Sequence, residues 1–340
     1  MSSIFEVAKQ AGVSASTVSR TFNSPHLIND KTKKLVFEAA ERVNYQPRRQ
    51  RIPVETPEPA YTTLRFHFFA ERPEDTLQRN AFYSQVLAGA LSEASDLNIR
   101  LILSTSDRHG VSSTPSQSPE SLAAAGILLV GAIDADTVAR FADSPNIVFI
   151  DTHDTTGAYD SVVSDNFGGA YTATKHLIGL GHKRIGFVTG LDPVVSFAER
   201  MNGYVCAHFH AGIPLDNTLT ITKGHDSIKA CLERSDRPTA ILGANDECAI
   251  DTMQVCQQLG ICIPRDLSLI GFDDLEFTAR VLPALTSVHV PTETIGRLGV
   301  RRLYAKIQNS ANPALVDLPS CSVVPVRLVE RESCAPPLGA

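Results

Sequence analysis

The residues of this 340-residue chain best suited to chemistry are gathered near its start and form no catalytic constellation. Ser14-Ala15-Ser16-Thr17-Val18-Ser19-Arg20 comes just after Gly12, and Val18 and Phe22 are spaced to make the buried side of one short helix. That leaves Ala15, Ser16, Ser19, Arg20 and Asn23 on its outward side. Such a row suits a nucleic-acid groove: an Arg fork pairs bidentately with guanine, a Ser hydroxyl bonds either base type, and an Ala methyl contacts thymine. The hydroxyls and the amide of Ser14, Thr17, Ser19 and Asn23 suit phosphates, which set register without reading sequence. For Ser14 a helix cap is the competing role.

Signs of catalysis are missing elsewhere. There is no Gly-x-Gly-x-x-Gly after the first strand, no Gly-x4-Gly-Lys-Ser/Thr, no Gly-x-Ser-x-Gly and no His-Glu-x-x-His. His208 and His210, two residues apart on a helix, share no face and read as surface histidines. Asp273-Asp274 has no partner of defined catalytic geometry. The seven Cys include no Cys-x-x-Cys pair and none lies in the first 205 residues, so free reduced thiols are expected, with no metal site and no cofactor.

The elements that must carry the outward row are legible around it. Ile4, Val7, Ala8 and Ala11 give a first helix its apolar stripe, Gly12 ends it in a left-handed turn, and Ser14 can cap the second helix. A third helix follows Asn29, with Leu35, Val36, Ala39, Ala40 and Val43 at helical spacing. Three short helices with a tight Gly turn between the first two match a helix-turn-helix. Charge agrees with a polyanion partner. Residues 1–51 hold nine Lys/Arg against four Asp/Glu, a net +5, so the remainder of a chain with net charge −6 carries −11.

The stretch Val7 to Asn23, with Ala-Gly-Val-Ser-x-x-Thr-Val-Ser-Arg inside it, resembles the DNA-binding signature of the lactose-repressor (LacI/GalR) family, and Asn44-Tyr45-Gln46-Pro47 resembles that family's end-of-headpiece motif. The resemblance puts Ala15 and Ser16 at the first base-reading positions and Arg20 further along. It also implies a linker that differs here. Where the family has an Asn-x-x-Ala-x-x-Leu hinge helix, this chain has Arg48, Arg51 and Val54 at the corresponding places, and Pro53 would cost a regular helix about 3 kcal/mol. Arg48, Arg49 and Arg51 are expected instead to form an extended basic arm in a narrow minor groove.

From Leu64 onward, strand-like runs alternate with helical patterns: Leu64–Phe69, Ile99–Leu103, Ile127–Val130, Ile147–Ile150, Ile185–Thr189, Leu219–Thr222, Ala240–Gly243 and Leu267–Gly271. Regular alternation over so many residues predicts an α/β body with doubly wound parallel sheets, too long for one core and so divided into two lobes. Val86, Leu87, Ala90, Leu91 and Ala94 give one helix its core stripe, and Thr105 to Glu120, rich in Ser, Thr and Pro, reads as a loop. Segments such as Ser164-Asp165-Asn166, Glu199-Arg200-Met201-Asn202-Gly203-Tyr204 and Ala244-Asn245-Asp246 extend the family resemblance through the body.

The resemblance implies a periplasmic-binding-protein-like body with crossovers near residues 160, 288 and 320 and a ligand at the carboxyl ends of the strands. Arg200, Asn245 and Asp273 match the family's effector-contacting positions, and fork, amide and carboxylate suit the adjacent hydroxyls of a sugar. Phe82 and Tyr83 would wall the site, with core packing as their competing role.

The expected organisation is a helix-turn-helix domain over 1–47, a linker over 48–61 and an effector-binding and dimerisation domain over 62–340. Lobe 1 is expected at about 62–160 and 288–319, and lobe 2 at about 161–287 and 320–333. The expected function is a transcription regulator, a repressor, that binds an inverted-repeat operator in double-stranded DNA as a homodimer under control of a carbohydrate effector. The alternative is a two-lobed sugar-binding protein without a regulatory DNA site. No secretory signal or membrane span is read, so a cytoplasmic protein is expected.

Overall fold

The computed structural model describes residues 3–23, 28–43, 45, 62–70, 76–107, 124–131, 133, 138–141, 144, 146–153, 157–190, 194–309 and 318–338. The chain divides into two compact units, residues 1–60 and 61–340.

The first unit is built from α1 (Ile4–Ala11), α2 (Ala15–Asn23) and α3 (Asp30–Arg42). Ser3 and Glu6 make a reciprocal capping box at the start of α1, and Gly12 ends it at φ 68°. Ser14 accepts a hydrogen bond from the Thr17 backbone N–H at 3.1 Å, so the cap role read for it is realised. Val7, Val18, Val36, Ala39 and Ala40 form the small core. Two readings need correction. Ala15, placed on the outward side of α2, is half-buried and packs against this core. Leu35, read as core, stands 46% exposed, because the three-helix core has room for only one stripe of α3 and Val36 fills it.

The second unit holds two six-stranded sheets. The first, ordered β11-β5-β4-β3-β1-β2, comprises β1 (Thr63–Ala70), β2 (Arg100–Asp107), β3 (Gly126–Gly131), β4 (Ile147–Ile150), β5 (Asp160–Ser164) and β11 (Cys321–Val324), all parallel. The second, ordered β12-β10-β9-β8-β6-β7, comprises β6 (Ile185–Thr189), β7 (Thr220–Thr222), β8 (Ala240–Gly243), β9 (Ser268–Asp273), β10 (Thr286–His289) and β12 (Arg327–Val329). Here β12 runs antiparallel to β10, a departure from the all-parallel expectation at an edge, where an antiparallel strand is readily accommodated.

The lobe boundaries also move. Strands β5 and β11 pair with each other in the first sheet, and β10 belongs to the second. The chain therefore crosses at Asp165, between His289 and Thr292, and between Val324 and Arg327, a few residues beyond the expected 160, 288 and 320. Thr105 to Asp107, read as the start of a loop, continue β2, which pairs along its whole length with β1. Residues 108–120 of that loop lie outside the described residues.

Helix α4 (Ala81–Asp96) follows β1, α5 (Asn166–Gly179) and α6 (Val195–Ala211) flank β6, α7 (His225–Leu232) follows β7, α8 (Asp246–Leu259) follows β8, and α9 (Thr292–Asn309) follows β10. Leu91 on α4 is exposed and not part of its core stripe. His208, read as a surface histidine, is 3% exposed on α6, its ring Nδ1 bonded to the Tyr204 carbonyl at 3.0 Å, and burial pushes its pKa down. That local bond satisfies the ring without any charged partner.

Helices α4 and α9 touch backbone to backbone. A Cβ on Gly296 would lie 2.0 Å from the Val86 carbonyl oxygen, and one on Gly89 would lie 2.0 Å from that of Glu293. Glycine inside a helix gives up about 1 kcal/mol of propensity relative to Ala. Close approach outweighs that here, because added volume must separate the helices. Gly296→Val is expected to cost about 3 kcal/mol; a urea midpoint equal to wild type would refute the close-packing account.

Candidate functional site

In the first unit, Ser16 and Arg20 are exposed along α2, while Thr17 and Ser19 are half-buried beside them. The Ser14 hydroxyl lies 2.8 Å from both Ser16 Oγ and Thr17 Oγ1, so three hydroxyls meet at the amino end of α2. Thr21, on the other side, is buried and returns its hydroxyl to the Thr17 carbonyl at 2.9 Å. The accessible chemistry is thus an Arg fork one helix side along from a hydroxyl cluster. This suits a groove edge, where one group reads bases and the others hold phosphate. Asn23 closes α2, with its side chain outside the described residues; Arg48, Arg49 and Arg51 and the whole linker also lie outside them. Of the end-of-headpiece motif, Tyr45 is described, its ring 6.0 Å from that of Phe22.

In the second unit Asp273, Asn166 and the Ala244 carbonyl converge on Arg200. This side chain is 2% exposed on α6. Its Nε donates to Asn166 Oδ1 at 2.9 Å and its Nη1 to the Ala244 carbonyl at 2.6 Å, while Nη2 lies 3.2 Å from Asp273 Oδ1. The guanidinium sits 3.8 Å above the Phe272 ring, an arrangement that holds it flat without consuming a hydrogen bond. Asp273 ends β9 at φ 109°, and Asp151, directly after β4, has φ 62°. Two aspartates outside the usual backbone regions at opposing strand ends store strain of about 1–3 kcal/mol each, as binding sites commonly do.

Asp151 was not among the residues read from the sequence, although its place just past a predicted strand end was the available signal. Its Oδ2 accepts from the Tyr83 hydroxyl at 3.1 Å, while Oδ1 is buried without a hydrogen bond. Burial pushes its carboxyl up to about 6, against the pull of Arg200 and the Tyr83 bond. Burial also raises Asp273 well above the ordinary range, again opposed by Arg200. Asp246, at the start of α8, reaches about 7 for the same reason, although it accepts from Ser287 Oγ at 2.5 Å and from the Leu275 N–H at 2.8 Å. Asp246 therefore pins three segments of the second lobe.

Asn245 takes a different part from the one expected. Its Oδ1 caps α8 by accepting from the Cys248 N–H at 2.9 Å, which leaves only its Nδ2 as a donor. Phe82 is core, 8% exposed among Val86, Phe68 and Ile150, because the first turn of α4 lies against the sheet; Tyr83 alone of the pair reaches the cluster. Asp274 is ion-paired to Arg331 at 2.6 Å and lies 3.0 Å from His289 Nδ1.

Asn166 was also missed as a functional residue. Sitting at the first crossover, it accepts from Ser164 Oγ and Arg200 Nε and donates to Glu199 Oε2 at 2.9 Å. A cavity of about 510 Å3, lined by His153, Tyr159, Ser164, Asn166, Glu199 and Cys321 among others, adjoins this crossover. No group of three or more His, Cys, Asp or Glu arranged to hold a metal occurs among the described residues.

A helical head with an exposed Arg and hydroxyl row, followed by two α/β lobes whose strand ends meet at a buried Arg–Asp cluster, defines a DNA-binding regulator with an effector-binding body. Residues 3–48 match the family model of bacterial regulatory proteins of the lacI family, and residues 174–334 match the periplasmic binding protein-like domain. Catabolite control protein A of Priestia megaterium is 29% identical over 332 residues, covering 93% of this chain and 96% of that one. The ribose operon repressor of Haemophilus influenzae is 28% identical, covering 91% and 93%. Among solved structures, the lac repressor dimer bound to operator and the anti-inducer ONPF aligns with a TM-score of 0.67 at 25% identity, over 98% of this chain and 99% of that one. A transcriptional regulator CelR–cellobiose complex gives 0.68 at 25%, over 98% and 100%. Residues 3–48 are thus a lacI-family DNA-binding domain and residues 174–334 a periplasmic binding protein-like domain.

Proposed function

We propose that this protein is a repressor that binds an inverted-repeat operator as a homodimer and changes its DNA affinity when a small carbohydrate occupies the space between its lobes. The observation that carries the reading is the convergence of Arg200, Asp273 and Asp151 at opposing strand ends, which joins a site for adjacent hydroxyls to both lobes at once. Relatives named for ribose and cellobiose, and one solved as a dimer on its operator, support it. The protein acts in the cytoplasm, on the nucleoid, by binding and without catalysis. Ser14, Ser16, Thr17, Ser19, Arg20 and Asn23 contact the half-site, and Arg48, Arg49 and Arg51 follow the minor groove. The alternative, a sugar-binding protein without a DNA site, leaves the helix-turn-helix without a purpose.

Selection of genomic fragments by the purified protein should enrich an inverted repeat; an unenriched pool, with and without added sugars, would refute the reading. On the selected operator, Arg20→Ala is expected to weaken binding by about 1–3 kcal/mol and relax specificity at one position per half-site. Equal losses on operator and random DNA would show that Arg20 holds phosphate only. Asp273→Ala should keep operator affinity and lose the response to effector. A variant that still responds would remove Asp273 from the site.

A further inference from the structure

We propose that the cavity beside the first crossover is a second ligand site, separate from the Arg200 cluster, and that it takes a small organic amine, a protonated amino group on an apolar body with a hydroxyl at its far end. Its volume of about 510 Å3 suits a molecule of that size. Arg200, Asp151 and Asp273 are not among its lining residues; Asn166, which lines the cavity and accepts from Arg200 Nε, is the residue the two sites share.

The floor is one face of the first sheet at its β11 edge. Cys321 pairs with Ser161 and Val323 with Val163 in the parallel ladder of β11 and β5, so the four side chains stand side by side on that face. Val163 is 4% and Val323 57% exposed, which makes the floor apolar and open at its outer edge. Ser161 is 2% exposed, and its hydroxyl has no hydrogen-bond partner among the described residues. A buried hydroxyl that lines a cavity without a partner is the exception in a folded chain and marks where a ligand atom is expected. The neighbouring Asp160 turns to the opposite face, where it takes up Arg302 and Lys306, so those cations serve the other side of the sheet.

The polar wall selects the charge of the ligand. Glu199 Oε2 accepts from Asn166 Nδ2 at 2.9 Å, while Oε1 stands 3.6 Å from His153 Nδ1, beyond hydrogen-bond reach. Asp165 gives Oδ1 to the Gly168 N–H as the cap of α5. The described lining residues thus hold two carboxylates and one imidazole, with no Lys or Arg among them. Phe167, 45% exposed, adds an aromatic ring, whose face also favours a cation. An anion would meet no countercharge here, and an uncharged ligand would leave Glu199 without the stronger, charge-assisted bond. An ammonium group gives Glu199 Oε1 its missing donor, the apolar body covers Val163 and Val323, and the far hydroxyl completes Ser161.

The test is calorimetry on the full-length protein with two charge-matched sets, tyramine with tyrosol and 4-hydroxyphenylacetate, and 4-aminobutanol with 1,4-butanediol and 4-hydroxybutanoate. Alongside it, mass spectrometry follows iodoacetamide labelling of Cys321, which lines the cavity, against Cys262, which is exposed on the other lobe. At least one amine is expected to bind at least about tenfold more tightly than its alcohol and its acid, and to slow labelling of Cys321 but not of Cys262. Glu199→Gln, which keeps an acceptor for Asn166 and removes the charge, should weaken that amine by about tenfold. Val323→Lys, at an exposed position, should abolish its binding while the thermal melt stays that of wild type. A panel in which no amine binds overturns the proposal, as does an alcohol or acid that binds as tightly as its amine. Binding that leaves Cys321 labelling unchanged, or that survives either substitution at full strength, overturns it as well.

Discussion

Replacing Arg200 with Met is expected to cost about 3–5 kcal/mol of folding stability and to abolish effector binding. The side chain is buried, donates to Asn166 and Ala244, and is the countercharge for Asp151, Asp246 and Asp273. Met keeps the apolar volume above Phe272 but leaves three carboxyls uncompensated in a dry site. Without Arg200 their already raised pKa values climb further, so they add to the instability while ionised and stop doing so once protonated. The deficit should therefore be largest above pH 7, beyond the value of about 7 that Asp246 has in the wild type, and should shrink as pH falls through 6. Urea titrations of wild type and variant at several pH values check this. A loss that does not vary with pH would mean that packing, not charge, is what Arg200 supplies.

Asp160→Ala is the second large effect, and it concerns the frame, not the ligand. Asp160 is fully buried at the start of β5, where it accepts from Arg302 Nε at 2.9 Å, Lys306 at 2.8 Å and the Ser320 N–H at 2.9 Å. It thereby joins α9 and the approach to β11 to the first sheet. Burial alone would raise its carboxyl, but the hydrogen bonds from Lys306, Arg302 and Ser320 outweigh that and hold it below the usual carboxylate range. The loss should be about 3 kcal/mol, at the low end for breaking a buried pair, because Arg302 and Lys306 can turn to water. A depressed carboxylate stabilises the fold above its unfolded value of about 4 and ceases to do so as pH falls through the folded value. The gap between wild type and variant is accordingly full at neutral pH and closes below about pH 4. A gap that stays constant down to pH 3 would contradict the ionic account.

Each of these sites ties a helix to residues at strand ends far away in sequence. The Glu199–Asn166–Arg200 chain does the same at the first crossover.

By itself the sequence determined the head and the class of the body. Gly12 at positive φ, the Ser3 and Ser14 caps and the apolar stripes of α1 and α2 act within one or two turns, so composition and spacing specify them wherever they occur. The same holds for the eight strands read from apolar runs, and Arg200 and Asp273 were found because they stand in motifs. Only the tertiary structure decided the rest. Strands β5, β10, β11 and β12 are three to five residues long, all with polar residues among them, and become strands because a partner is already in place. Their pairing moved the crossovers. Asp151 and Asn166 joined the site, Phe82 and His208 went to the interior and Asn245 became a cap, because burial and partner choice depend on residues far away in the chain. Sequence periodicity reports which face of an element is apolar; which remote carboxylate ends up without a donor is fixed only when two sheets bring their ends together.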